Sequence, residues 1–477
     1  MPPVPSLPAY DRARLTPGIV HIGVGNFHRA HMAVYLDDLF AQGEGHDWAI
    51  LGAGVREGDA RMRAALAAQD NLSTVIELEP GAPRARRVGA MAGFVPVEAD
   101  NASLIAAMSD PAIRIVSLTV TEGGYYIDAA GRFDAGHPDI VADAADPRRT
   151  AFGAILAALR ARRAAGHPPF TVMSCDNLPG NGHVTCTTVC GLARIADPVF
   201  AAWVEANVAF PNGMVDRITP ATGPRERALA RRFGLDDPVP VTCEPFRQWV
   251  LEDKFPAGRP ALERVGVTFT PHVHAYETMK IRILNGGHAV IAYPSALMDI
   301  PLVHEAMANP LVRAFLEKVE RDEILPHVPP VPDTSLPDYL ALILDRFSNP
   351  EIADTTRRLC LDGSNRQPKF IVPSLRDNLA AGWLPQGLTL LSALWCRYCA
   401  GTTEGGAVIE PNDPDWDLLR ERAQAARADP RAWLAMAHVY GDIGSNPAFA
   451  RAFGSWLEAI WAEGTEAVLR RYLAGAS

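Results

Sequence analysis

Ile19-Val20-His21-Ile22-Gly23-Val24-Gly25-Asn26-Phe27-His28-Arg29-Ala30 decides the fold. Its first half is a short, mostly apolar run that ends in a glycine turn, the pattern of a strand covered on both faces. Residues 28–40 then read as a helix, and Trp48-Ala-Ile-Leu-Gly-Ala-Gly-Val55 as a second buried strand. Strand, helix and strand in that order make a βαβ unit. Further strand-like runs at 72–78, 113–120 and 170–174 alternate with alanine-rich helical stretches, notably 150–165. Apolar strands alternating with helices predict an α/β fold with a parallel, doubly wound sheet.

Beyond about residue 274 the pattern changes. Helical runs dominate at 280–293, 302–317, 337–347, 388–401 and 416–426, and Pro326, Pro329, Pro330 and Pro332 punctuate one joint. The expected division is an α/β domain over 1–274 and an all-α domain over 275–477. The 477 residues, 48% of them hydrophobic, suffice for sizeable cores. A net charge of −10 argues against a nucleic-acid or anionic-membrane partner. No apolar run reaches membrane-spanning length. Seven cysteines, an odd number, and a start (Met1-Pro2-Pro3-Val4-Pro5-Ser6) without a secretory pattern predict a cytoplasmic protein with reduced thiols. Cys396-Arg-Tyr-Cys399 has metal or redox spacing, but lacks a second pair and reads as two packed helix cysteines.

Gly23-Val24-Gly25-Asn26-Phe27 follows the first strand. Two glycines there suit the tight turn and close backbone approach that a dinucleotide pyrophosphate needs, and a helix start would present N–H groups to it. The third glycine of the usual fingerprint is missing, its position held by His28. An ordinary strand-to-helix turn is the competing reading. After the second strand comes Arg56-Glu57-Gly58-Asp59. An acid at this edge accepts both ribose hydroxyls of NAD and repels the extra phosphate of NADP. Asp59 is the first choice and Glu57 the second; Arg56 complicates the preference by offering a phosphate partner. The expected cofactor is NAD. His28 and His31 have no partner cluster, so no metal site is assigned.

The chemistry concentrates in Tyr276-Glu277-Thr278-Met279-Lys280-Ile281-Arg282-Ile283-Leu284-Asn285-Gly286-Gly287-His288. On an α-helix, at about 100° per residue, Asn285 lies about 140° and His288 about 80° from Lys280. An amine, an amide and an imidazole then project into one broad sector of a mostly apolar helix, and burying them without partners is costly. Alcohol oxidation supplies a reason. A desolvated lysine serves as general base, while amide and imidazole N–H groups stabilise the oxygen as it gains charge. A capped helix start with a satisfied core histidine is the other reading.

Taken together, the chain resembles the polyol-specific long-chain dehydrogenases, the mannitol 2-dehydrogenase family. The matching segments are Gly23-Val-Gly-Asn-Phe-His-Arg-Ala-His31, Thr121-Glu-Gly-Gly-Tyr125, Ser174-Cys-Asp-Asn-Leu-Pro179, Met214-Val-Asp-Arg-Ile-Thr-Pro220, Cys243-Glu-Pro-Phe246 and residues 280–288. The resemblance spans nearly the whole chain. It implies a Rossmann-type N-terminal domain, a helical C-terminal domain and a metal-independent oxidation of a secondary alcohol with NAD. It also implies that Lys280 is the base and that Asn285 and His288 hold the substrate oxygen. Substrate contacts fall to Asn177, Asp216 and Arg358, a proton path to Glu277, and a cofactor contact to Glu122. Where the family often has lysine this chain has Arg366, which keeps the charge but forks rather than points, and selectivity at that end of the substrate is open.

Without the family, Asn177 also reads as a turn asparagine, Asp216 with Arg217 as a surface pair or a turn, and Arg358 and Arg366 as solvated charges. A polyol, however, presents only hydroxyls, and amides, carboxylates and guanidinium groups are what it requires. The expected reaction is D-mannitol to D-fructose, reversibly, by a monomer whose only partners are the polyol and ketose. D-Arabinitol or D-sorbitol oxidation and hexuronate (fructuronate or tagaturonate) reduction are the alternatives; an NAD-binding sensor is the reading outside enzymes.

Overall fold

The computed structural model describes residues 3–128, 131–146 and 149–475. The chain divides into two compact units, Met1–His274 and Ala275–Ser477.

The strands of the first unit are β1 (Pro17–Ile22), β2 (Ala49–Ala53), β3 (Ser73–Glu77), β4 (Arg84–Val88), β5 (Met91–Phe94), β6 (Ile115–Leu118), β7 (Thr171–Ser174), β8 (Gly213–Asp216), β9 (Val241–Cys243), β10 (Gln248–Leu251) and β11 (Thr268–Phe269). Five of them form a parallel sheet in the order β5-β2-β1-β6-β7. The chain steps outward from β1 through β2 to β5, then returns to lay β6 on the other side of β1. That reversal is the defining feature of a doubly wound, Rossmann-type sheet, and it opens a crevice at the carboxyl ends of β1 and β6. Period-two alternation gives each face its own core. Ile19 packs with Leu36, Phe40 and Trp249 on one side, Val20 with Ile155, Leu159 and Val204 on the other.

Residues 72–78 do form a strand, but outside the main sheet. β3 pairs antiparallel with β4 and parallel with β9. The turn between β3 and β4 contains Pro80-Gly81, with Gly81 at φ +77°, so a local hairpin partner captures this strand. β8, β10 and β11 make a third sheet. The helix expected over 28–40 is two helices, Asn26–Ala30 and Met32–Ala41, broken at His31 (φ −121°, ψ −90°). The His31 ring meets the Gln248 carbonyl at 2.9 Å and stacks on Phe27 at 4.7 Å, contacts for which it leaves helical geometry.

In the second unit the described residues form helices and turns, with no named strand. The run 302–317 splits into Val303–Ala308 and Pro310–Val319, because Asn309 accepts from the Leu311 and Val312 N–H groups and Pro310 starts the next helix. Leu336–Phe347, Gln386–Cys399 and Trp416–Ala426 lie where the periodicity puts them. Cys396 and Cys399 are packed in the second of these, both buried. Among the described residues no helix is long and apolar enough to cross a membrane.

The segment of interest departs from α-helix. Lys280–Asn285 is a π-helical turn, followed by the α-helix Gly286–Leu297. A second π turn, Glu320–Ile324, continues the helix Pro310–Val319 and packs on the first.

Candidate active site

In the first unit, Gly23 sits at φ +99°, and a Cβ there would stand 2.2 Å from the Thr119 carbonyl oxygen; only glycine fits. Val24 is buried and anchors the turn. Gly25 is exposed, and a Cβ on it would meet nothing nearer than the Gly23 oxygen at 4.0 Å. The first intrahelical bond runs from the Arg29 N–H to the Gly25 carbonyl, which leaves the N–H groups of Asn26, Phe27 and His28 without a helical acceptor. An open glycine beside these donors, at the carboxyl end of β1, fits the diphosphate of a dinucleotide. The Asn26 amide is bound to the Pro220 carbonyl and the Thr222 hydroxyl, both at 3.0 Å. His28 turns inward and stacks on His21 at 3.5 Å. Burial pushes the His21 and His31 imidazoles down to about 3 and His28 well below its ordinary value.

Asp59 lies in the first turn of the helix Glu57–Ala67, after β2. Its Oδ2 accepts the Arg56 backbone N–H at 2.9 Å, so one oxygen is committed to the helix start. Glu57 and Arg56 are exposed.

The loop after β6 is held by a residue the sequence reading passed over. Asp176 accepts the N–H groups of Val120 (2.9 Å) and Thr121 (3.1 Å) and the Tyr125 hydroxyl (2.7 Å). The available signal was an acid between the end of a strand and the singled-out Asn177. Asn177 is exposed. The Glu122 side chain lies outside the described residues. Asp216 ends β8 and is 5% exposed. Its neighbour Arg217 is buried too, donating to the carbonyls of Ala30 (2.6 Å) and Glu244 (3.0 Å) and pairing with Glu77. The surface-pair reading of these two is therefore wrong: the strand end is pinned against the helix that follows the glycine turn.

In the second unit the π turn changes the expected geometry. Each carbonyl in a π turn is taken by the fifth residue on instead of the fourth. Asn285 therefore stands relative to Lys280 as an i+4 residue does on an α-helix, not about 140° away. His288, three residues further, follows on the same face. Lys280 and Glu277 are buried, at 7% and 5% exposure, whereas Asn285 and His288 keep partial access. Glu277 precedes Lys280 by three, on its face of the helix.

The His288 ring stacks on Phe347 at 4.1 Å. Burial first, and then the charges of Arg358, Arg346 and Arg366, hold its pKa well below the ordinary value. His288 is thus a neutral imidazole, with one N–H to donate. Arg358 is clamped by Asp354, and Arg366 donates to the carbonyls of Arg358 (3.3 Å) and Leu359 (3.4 Å). The structure thereby gathers His288, Arg358 and Arg366, and adds Arg346, which the sequence did not single out. Among the described residues no three or more His, Cys, Asp or Glu side chains assemble as a metal centre.

Comparison with known proteins agrees with the motifs. The mannitol dehydrogenase Rossmann domain matches residues 17–264, and the mannitol dehydrogenase C-terminal domain matches 272–461. The chain is 78% identical to a mannitol 2-dehydrogenase of Cereibacter sphaeroides, over 98% of both chains. The mannitol 2-dehydrogenase of Pseudomonas fluorescens, solved in ternary complex with NAD and D-mannitol, superposes with a TM-score of 0.87 at 43% identity, covering 99% of this chain and 97% of that one. A D-sorbitol dehydrogenase in substrate-free form gives a TM-score of 0.90 at 34% identity, covering 97% and 96%. The chain belongs to the mannitol dehydrogenase family.

Proposed function

We propose that the protein oxidises D-mannitol to D-fructose with NAD, reversibly and without a metal ion. The observation that carries this reading is the π turn that puts Lys280, Asn285 and His288 on one helix face, in a chain closely similar to a mannitol 2-dehydrogenase. Bound NAD supplies the hydride acceptor; Gly23, Val24, Gly25, Asn26, Phe27 and Glu122 hold it, and Asp59 takes its ribose hydroxyls. Lys280, as the neutral amine, removes the hydroxyl proton. The Asn285 amide and the neutral His288 imidazole donate to the oxygen as it becomes a carbonyl. Glu277, beside Lys280 on its helix face, passes the proton outward. Arg358 and Arg366 bind further hydroxyls, as do Asn177 and Asp216. The protein acts as a monomer.

The test is NADH formation, followed by absorbance, with mannitol, sorbitol, arabinitol and xylitol, and the reverse reaction with fructose and fructuronate. Mannitol is expected to give the highest kcat/KM, and NAD a higher value than NADP. Lys280→Ala is expected to lower kcat by about 10²–10⁴, the range for a lost general base, with NAD binding retained. Near-normal turnover in that variant, or inactivity on every polyol, would overturn the reading. One observation favours a second reading: the arginines around His288 suit a carboxylate, and a higher kcat/KM with fructuronate than with fructose would identify a hexuronate reductase.

A further inference from the structure

The helix Asn181–Ala196 carries two cysteines one turn apart that the proposed oxidation does not use. The Cys186 and Cys190 sulfurs lie 3.8 Å apart. Cys186 is half-exposed, and the other six cysteines, Cys190 among them, are buried. Among the described cysteines, the pair offers solvent a thiol with a second thiol beside it.

Two reactions are open to such a pair, and the geometry separates them. A disulfide needs Cβ atoms about 3.5–4.5 Å apart, whereas positions four apart on an α-helix hold them about 5–6 Å apart; closing that bond would distort the helix. A tetrahedral metal ion needs no such movement. With a metal–sulfur bond of about 2.3 Å, two thiolates on adjacent corners stand about 3.8 Å apart, the spacing already present. The two sulfurs are already in hydrogen-bond contact, and either thiol can be the donor.

We propose that Cys186 and Cys190 form a bidentate site for a thiophilic divalent cation of the zinc and cadmium class. Each thiol gives up its proton to solvent as its sulfur–metal bond forms, so apparent affinity rises with pH. Water completes the coordination. The same helix anchors two loops of the cofactor-binding unit: Asn181 donates to the carbonyls of Ser174, Asp176 and Gly213, and the Thr188 hydroxyl donates to the Tyr125 carbonyl. A cation bridging Cys186 and Cys190 stiffens the turn that carries the second anchor, Thr188, and slower NADH formation is the expected consequence.

The probe is cadmium chloride, titrated into the full-length protein in thiol-free buffer. The readout is the ultraviolet thiolate-to-cadmium charge-transfer absorption, with protons released measured alongside. The expected result is about one cadmium ion per chain with about two protons released, and loss of the band in Cys186→Ser and in Cys190→Ser. Cys186 is half-exposed, so Cys186→Ser keeps the fold, checked by circular dichroism. No band in the wild type, or an undiminished band in Cys186→Ser, would overturn the proposal.

Discussion

A carboxyl group with no donor around it costs stability, and Glu320 is completely buried with neither oxygen hydrogen-bonded. Its Oε1 sits 3.0 Å from where a Cβ on Gly287 would be, so the glycine makes room for it. Burial raises its pKa well above the ordinary 4.5. The native state therefore keeps a proton that the unfolded chain releases. Stability falls as pH rises from 4.5 toward the folded value, and the penalty is present at neutral pH. Glu320→Gln removes the titration and keeps the shape. It is expected to stabilise the protein by about 1–3 kcal/mol at pH 8, read from the urea midpoint, with the gain shrinking as pH approaches 4.5. A pH-independent effect would mean that the carboxyl does not titrate as described.

At the scale of elements, two glycines in one turn have different duties, and alanine separates them. A Cβ on Gly23 would collide with the Thr119 backbone at 2.2 Å, from a φ of +99°. Gly23→Ala is expected to destabilise the whole β1–β6 junction and lower Tm. A Cβ on Gly25 has open space and a φ of −92°. Gly25→Ala is expected to keep the wild-type Tm while weakening NAD binding about tenfold, measured by fluorescence titration. This turn was legible in the sequence because everything it needs is local: an apolar run, then glycine. The helices after residue 300 were legible for the same reason. The π turn was not. Its extra residue has no mark in the 3.6-residue period, and Lys280–Asn285 packs on a second π turn forty residues away in sequence, at Glu320–Ile324. The three polar residues were identifiable, but their alignment depends on that extra residue. Asp176 escaped for a similar reason: its role is fixed by the N–H groups of Val120 and Thr121, which only the parallel pairing of β6 and β7 brings alongside.

For the whole molecule, the two units carry different sets of buried titratable groups. The first holds three neutral imidazoles, His21 and His28 stacked at 3.5 Å and His31 against Phe27. Their folded pKa values lie far below the usual 6.5, with His21 and His31 at about 3. In the window from 6.5 down to about 3 the unfolded chain binds protons that the folded unit refuses, so this contribution is complete above pH 6.5 and is lost as pH falls. In the second unit His288 behaves likewise, but Glu320 opposes it, since its penalty fades as pH drops toward 4.5. Acid therefore weakens the first unit more steeply than the second. Differential scanning calorimetry at pH 7.5 and pH 5 is expected to show the transition of the first unit moving to lower temperature by the larger amount. NAD, which binds that unit in the proposed reading, identifies its transition by shifting it upward. His28→Phe, which keeps a flat ring against His21 but cannot be protonated, is expected to reduce the acid shift. An equal shift of both transitions, or an unchanged acid sensitivity in His28→Phe, would show that the buried imidazoles do not govern the acid response.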